Sequence, residues 1–239
     1  MPQFLNVIFS ALPTLLLGAL VTLQLTAVTV FLGMIFGSLI GIARLSTSRP
    51  LSWAARAYID FFRGTPLLVQ IFMIYFGIPA LIKGIGLTFF TMNQWTAAVL
   101  ALTLNSAAYI AEIVRGAIQS IELGQREASE SLGLGSVQTM RYVIFPQAFR
   151  RMIPPLGNEF ISLLKDTSLV AVIGFEELFR RGQLIVAQNY RSFEIYFAVA
   201  LVYLVLTLLS SRAFGFLERS LSPAERVKRR AVSTPVSTS

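Results

Sequence analysis

Apolar residues in this chain fall in long uninterrupted runs. From Thr14 to Ala43 there is no charged residue at all. A helix rising 1.5 Å per residue needs about 20 apolar residues to cross a hydrocarbon layer about 30 Å thick, so this run predicts a membrane span over 14–43. Further runs predict spans over 66–82, 95–111 and 193–217. A stretch at 155–175 has the length of a span but contains Glu159, Lys165 and Asp166. The expectation is an all-α integral membrane protein of five transmembrane helices, with one domain over 1–220. The stretch 221–239 is basic, then rich in Ser, Thr and Pro without apolar period, and is expected to be a disordered cytoplasmic tail.

Five spans place the chain ends on opposite sides of the membrane. Between spans one and two lie Arg44, Arg49, Arg56 and Arg63; between three and four lie Arg115, Arg126, Arg141, Arg150 and Arg151. The C-terminal stretch adds Arg212, Arg219, Arg226, Lys228, Arg229 and Arg230, which makes fifteen basic residues on one side. The other side holds four: Lys83, Arg180, Arg181 and Arg191. Cytoplasmic segments carry the excess of Lys and Arg, so the N-terminus is expected outside and the C-terminus in the cytoplasm. The first run lacks a basic start and exceeds the roughly 7–15 apolar residues of a signal core, so it reads as a span and not a cleavable signal. Phe4 to Phe9, ahead of Pro13, read as a short interfacial helix.

Composition narrows the chemistry. The chain is 55% hydrophobic and 13% charged, with a mean hydropathy of +0.69; soluble domains carry about 25% charged residues. A soluble enzyme is excluded on that ground. With no cysteine and no histidine, disulfides, thiolate or histidine metal sites and a Ser-His-Asp triad are excluded as well. No catalytic residue and no metal ligand is expected. The formal charge of +8 is accounted for by the cytoplasmic arginines and lysines and does not point to nucleic acid.

Polar residues inside the spans carry the remaining information. Thr22, Thr26, Thr29, Gly33, Gly37 and Gly41 recur at steps of three and four on span one, a stripe suited to close helix packing. Gln24 on the same span suits either a pathway or a backbone hydrogen bond. Thr65 reads as an N-cap with Pro66 in the first helical position, and Gln70 suits an interhelical bond or a pathway. On span three, Asn105, Tyr109, Glu112 and Gly116 share a narrow arc, and Glu112 with Arg115 has ion-pair spacing. Span four is the most informative. With Asn158 at 0°, Ser162 falls at about 40°, Asp166 at about 80°, Glu159 at about 100° and Lys165 at about −20°. Such an arc suits either a structural ion pair between Lys165 and an acid on another helix, or a solute pathway. The pathway is favoured, because intramembrane charge usually faces a bundle interior or a wet cavity.

Between spans three and four the chain spends about forty residues outside the membrane, far more than a turn requires. Gly124 to Gly133 reads as a short helix ending in glycine. Ser136 reads as the N-cap of a second helix that Pro146 terminates. The element over 124–146 suits a docking surface or a membrane-lying hairpin.

Glu127-Ala128-Ser129, Gly133 and Val143-Ile144-Phe145-Pro146 resemble, with matching spacing, the EAA signature of ABC importer permeases. Ser129 stands in place of the third alanine. The resemblance runs from about Gly18 to Arg219. It includes Arg63-Gly64-Thr65-Pro66-Leu67-Leu68-Val69-Gln70, Asn105-Ser106-Ala107-Ala108-Tyr109-Ile110-Ala111-Glu112 and Leu164-Lys165-Asp166-Thr167-Ser168-Leu169, segments similar to those of polar amino-acid permeases. It implies a permease subunit of a bacterial inner-membrane importer, paired with an identical or related permease. It also implies two cytoplasmic ATPases and an extracytoplasmic solute-binding protein as partners, with ATP and Mg held by the ATPase. The chain contains no Gly-x-x-x-x-Gly-Lys-Ser/Thr loop to cradle phosphates by that route. Glu127, Ala128, Ser129, Gly133 and Pro146 are then the expected ATPase-coupling residues. Asn105, Tyr109, Asn158, Glu159, Ser162, Lys165 and Asp166 are the expected lining of an amino-acid pathway. Two rival readings are an ion-coupled secondary transporter or channel, using the span-four charges, and a non-transporting membrane scaffold. Strict dependence on ATP separates the first from an importer.

Overall fold

The computed structural model describes residues 2–86 and 91–221, and all regular structure among them is helical. The expected disordered tail lies, from residue 222 on, outside the described residues. Helix α1 runs unbroken from Pro2 to Arg44 with Pro13 inside it, so the separate interfacial helix expected at 4–9 does not exist. Packing carries the helix past the proline: Ala11, Leu15 and Ala19 are buried in one apolar cluster. Phe4 meets Phe193 and Phe197 at 6.3 and 6.0 Å between ring centroids.

Helix α2, Arg49–Gly64, was not anticipated, because its apolar residues form a stripe and not a run. Ala55 and Ile59 are buried, and the Tyr58 hydroxyl donates a 2.7 Å bond to the Leu104 carbonyl. The helix stops where Thr65 and Pro66 turn extended, the conformation imposed on a residue before proline. Helix α3, Leu67–Phe72, therefore begins one residue later than expected. Pro66 holds the cap position, and the Thr65 hydroxyl donates back to the Phe61 carbonyl at 2.8 Å.

A π turn, Met73–Gly77, joins α3 to α4, Ile78–Gly84. Helix α5, Gln94–Gln119, is capped by Asn93, whose side chain accepts from the Thr96 N–H at 2.7 Å. Then follow α6 (Leu123–Ser131), α7 (Ser136–Thr139), a second π turn (Met140–Ile144) and α8 (Phe145–Asp166). Ser136 is the first residue of α7 and not its cap; Gly135 precedes it. Pro146 does not terminate the helix. Both π turns stand in the same relation to a proline: Ile78 and Phe145 donate N–H bonds to Met73 and Met140, and Pro79 and Pro146 come next. The widened turn removes the ladder bond that a proline cannot make and gives its ring room, so the helix continues.

A 3₁₀ segment, Thr167–Ile173, follows α8 and ends at Gly174 with φ +79°. Helices α9 (Leu178–Asn189) and α10 (Ser192–Leu221) complete the described chain. Among the described residues, four helical stretches suit a membrane by length and apolarity: Gln3–Arg44, Leu67–Gly84 (α3, the π turn and α4), Gln94–Gln119 and Ser192–Ser220. The charges of α8 keep it out of that set.

Helix α5 is the centre of the fold. Its Ala97, Ala98, Ala101, Ala107, Ala108 and Ala111 are buried. A Cβ placed on Gly37 would lie 2.8 Å from the Ala107 carbonyl oxygen, and one on Gly41 would lie 2.7 Å from that of Ala111. The glycines of the span-one stripe thus bring two backbones into contact. Thr22, Thr26 and Thr29 continue the stripe, fully buried; the hydroxyls of Thr26 and Thr29 donate to the Thr22 and Leu25 carbonyls at 2.8 and 2.7 Å.

Candidate functional site

The break between α2 and α3 is held by a knot of amide bonds. Gln70 Nε2 donates to the carbonyls of Phe62 (2.9 Å) and Thr65 (3.1 Å), and to Thr65 Oγ1 (2.9 Å). Asn105 Nδ2 donates to Gln70 Oε1 at 2.9 Å and to the Phe62 carbonyl at 3.3 Å. Of the two readings open for Gln70, these contacts support the bonding one. They also fix Asn105 against the open turn Thr65-Pro66-Leu67.

Beside that turn lies a cavity of about 270 Å³ lined by Thr65, Pro66, Leu67, Asn105, Tyr109, Glu159, Ser162 and Asp166. Five of the seven expected pathway residues therefore meet around one space. Asn158 and Lys165 do not line it; both are exposed on the adjoining side of α8. Sequence reasoning missed Thr65, Pro66 and Leu67 as lining, because a helix start was expected where the chain is extended.

Glu159 is held by a hydroxyl and not by a direct ion pair. Ser106, fully buried on α5, donates from Oγ to Glu159 Oε1 at 3.0 Å. Among the described residues, no Lys or Arg lies within 4.0 Å of Glu159 or Asp166, and Lys165 makes no ion pair. The structural ion pair is thus absent from the described part of the chain. The site combines two carboxylates, an amide, a hydroxyl and a phenol in a space suited to one small polar solute.

About two turns along α5 from Asn105 begins an ion cluster. The guanidinium of Arg115 forks onto Glu112, with Nε at 3.0 and 3.1 Å from the two oxygens and one terminal nitrogen at 2.7 Å. The expected i, i+3 pair is therefore formed. Arg63 approaches the same carboxylate at 3.8 Å and lies 5.2 Å from the ring centroid of Tyr109.

A second polar centre was not anticipated. Glu177 is fully buried and caps α9, accepting from the N–H groups of Phe179 and Arg180 at 2.9 and 2.7 Å. The Tyr203 hydroxyl donates to it at 2.7 Å and Thr22 Oγ1 at 3.5 Å. Thr22 Oγ1 also accepts from the Leu178 N–H at 3.2 Å. One carboxylate so joins α1, α9 and α10. The only signal in the sequence is an acid directly before an apolar helical segment, a capping position.

The element at 123–146 presents Glu127 and Ala128 on its surface, with Pro146 also exposed, while Ser129 is buried. The Ser129 hydroxyl donates to the Gln125 and Arg126 carbonyls at 2.7 and 2.9 Å, so the buried polar group that serine brings to the alanine position is satisfied within its own helix. Gly133 has φ +81°. Its N–H bonds the Glu130 carbonyl at 2.9 Å, and the Leu134 N–H bonds that of Ser129 at 3.1 Å. This pair of bonds is the Schellman closure, and the left-handed residue in it is normally glycine.

Residues 31–223 match the family described as binding-protein-dependent transport system inner membrane component. The chain is 45% identical over 216 residues to the glutamine transport system permease protein GlnP of Escherichia coli (strain K12), covering 90% of this chain and 96% of that one. It is 38% identical to the arginine transport system permease protein ArtQ of Bacillus subtilis (strain 168), covering 91% and 98%. The crystal structure of an amino acid ABC transporter with histidines superposes with a TM-score of 0.84 at 41% identity, over 91% of this chain and 98% of that one. The inward-facing MetNI methionine ABC transporter shares the fold, with a TM-score of 0.73 at 24% identity. The chain belongs to the family of binding-protein-dependent transport system inner membrane components.

Proposed function

We propose that this chain is the permease subunit of an ATP-driven importer that moves a polar amino acid into the cytoplasm. Five helices cross the membrane in this reading, α8 and its 3₁₀ extension being the polar one, with the N-terminus outside. A charged helix is tolerated there because its acids face a cavity and not lipid. The observation that carries the reading is the meeting of Asn105, Tyr109, Glu159, Ser162 and Asp166 around 270 Å³ in a chain whose relatives are amino-acid permeases. An amino acid brings one ammonium and one carboxylate, and the cavity supplies carboxylates and hydrogen-bonding groups in place of water.

Hydrolysis belongs to a partner ATPase, on which ATP and Mg sit. The helix α6 docks in a groove of that ATPase, with Glu127, Ala128 and Ser129 on the helix and Gly133 and Pro146 shaping the hairpin. A second permease copy or relative and an extracytoplasmic binding protein complete the assembly. ATPase closure beneath α6 exposes the cavity alternately to the two sides. Purification with the ATPase and binding protein, followed by an amino-acid screen for stimulated ATP hydrolysis and vesicle uptake, tests the proposal. Uptake of an amino acid that stops without ATP is the expected result. Uptake driven by an ion gradient alone would overturn it.

A further inference from the structure

We infer that Arg63 is the carboxylate-binding residue of the cavity, taking the substrate's α-carboxylate while Glu159 and Asp166 face its ammonium end. The inference rests on the amino-acid reading above and adds an orientation and a recognition group to it.

Arg63 stands two residues before Thr65, and its guanidinium lies 5.2 Å from the centroid of the Tyr109 ring. Thr65 and Tyr109 both line the cavity; Arg63 is not itself part of that lining but stands beside it, against Tyr109, the residue one turn of α5 beyond Asn105.

Its bonding is incomplete. Arg115 already forks onto both oxygens of Glu112, and Arg63 reaches that carboxylate only at 3.8 Å, beyond hydrogen-bond distance. Asp60, one turn back on α2, is not within ion-pair range. Arg63, Glu112 and Arg115 together hold one surplus positive charge. Among the described residues, the guanidinium of Arg63 donates no hydrogen bond, although it has five N–H groups to give.

The charge pattern then points to the ligand. The lining itself contains two carboxylates and no cation. A site of acids alone attracts amines and repels the carboxylate of an amino acid. A guanidinium beside the lining turns the cavity into a site for a zwitterion, with its fork matched to the two oxygens of a carboxylate. The ring of Tyr109 keeps the guanidinium in place without consuming its donors. Glu112 is a nearby competitor, which keeps the hold weak enough for release.

The test uses the permease purified with its ATPase and without the binding protein, whose own selectivity would otherwise be read. Ligand-induced thermal shifts are recorded with the common amino acids and cystine. The tightest binder is then titrated beside its α-carboxamide, which keeps the ammonium and loses the carboxylate. The intact complex should prefer the acid by about tenfold or more, the scale of a charge-assisted hydrogen-bonded pair. In Arg63→Gln the preference should fall to within about twofold, and Arg63→Lys, which retains charge without the fork, should keep an intermediate preference. Glu159→Gln should weaken acid and amide alike. A preference that survives in both Arg63 variants, or is missing from the intact complex, overturns the inference. If Glu159→Gln and Asp166→Asn still weaken binding in that case, the cavity reading stands and only Arg63 is excluded. Absence of binding by every amino acid overturns both.

Discussion

Ser106 on α5 donates a 3.0 Å hydrogen bond to Glu159 on α8, and it does so beside Gly33 of α1. A Cβ on Gly33 would come within 3.2 Å of the Ser106 hydroxyl. Three helices thus converge where the cavity acid is anchored. The bond holds one oxygen of Glu159 and leaves the other for a ligand. Glu159→Gln and Asp166→Asn, both nearly isosteric, should therefore change solute affinity by roughly tenfold, the scale of one charged contact. The amide oxygen can still accept from Ser106, so both variants should co-purify with the ATPase. Wild-type selectivity and affinity in both would remove the pathway assignment while leaving the family intact. Loss of assembly, rescued by neutralising Lys165, would instead mark a structural ion pair.

The contact of α1 with α5 gives a graded stability test. Gly37→Ala puts a methyl 2.8 Å from the Ala107 carbonyl oxygen, whereas Gly116→Ala meets nothing within 4 Å. Overpacking costs about 1–3 kcal/mol, so Gly37→Ala should lower the thermal midpoint of the purified complex. Gly116→Ala, inside α5 and unobstructed, should leave the midpoint unchanged or raise it, since Ala is the better helix former by about 0.5–1 kcal/mol. Equal midpoints for the two variants would contradict the close approach of the helices.

Docking of α6 makes a separate prediction about coupling. Ala128 is exposed in the described chain and helical, so Ala128→Arg adds bulk without backbone strain. It should abolish ATP-driven uptake in vesicles while the permease still inserts. Gly133→Arg should do the same and also destabilise the hairpin by about 1 kcal/mol, since φ +81° suits glycine. Glu130→Ala, which removes bulk and only a loose 4.0 Å surface pair with Arg126, should have little effect. Unchanged uptake and assembly with Ala128→Arg would count against docking here.

Glu177 should matter for stability. Glu177→Ala strips the acceptor from two backbone N–H groups and from Tyr203, leaving buried donors unpaired at a cost of about 1–3 kcal/mol. Tyr203→Phe removes one donor and should cost about 1 kcal/mol. Differential scanning of the two variants checks the order; an Ala variant as stable as the parent would show that the centre does not tie the helices together.

Orientation is testable because the chain has no native cysteine. A cysteine at Pro2 should react with an impermeant maleimide added to intact cells, and one at Ser237 only after the membrane is opened. Reaction of both from the same side would exclude five spans.

The chain's amino-acid order was by itself enough for the helical class, the apolar runs, the charge asymmetry and the family likeness. Each of these is a local sum: apolar length, a count of arginines, or a spacing along one segment. Gly133 and Ser129 belong to the same group, because the Schellman closure and the serine's carbonyl bonds lie within a few residues. Other features needed the packed molecule. The arc on α8 spans about 120° by residue spacing, but only the part bearing Ser162, Asp166 and Glu159 opens on the cavity, while Asn158 and Lys165 fall beyond its edge. Pro146 reads as a helix end, yet a π turn just before it lets the helix through. Thr22 and Glu177 are 155 positions apart, and nothing in either neighbourhood names the other. Their meeting depends on how closely α1 approaches its neighbours. That distance is set by glycines facing helix backbones across the bundle, a property of helices in contact and not of any one of them.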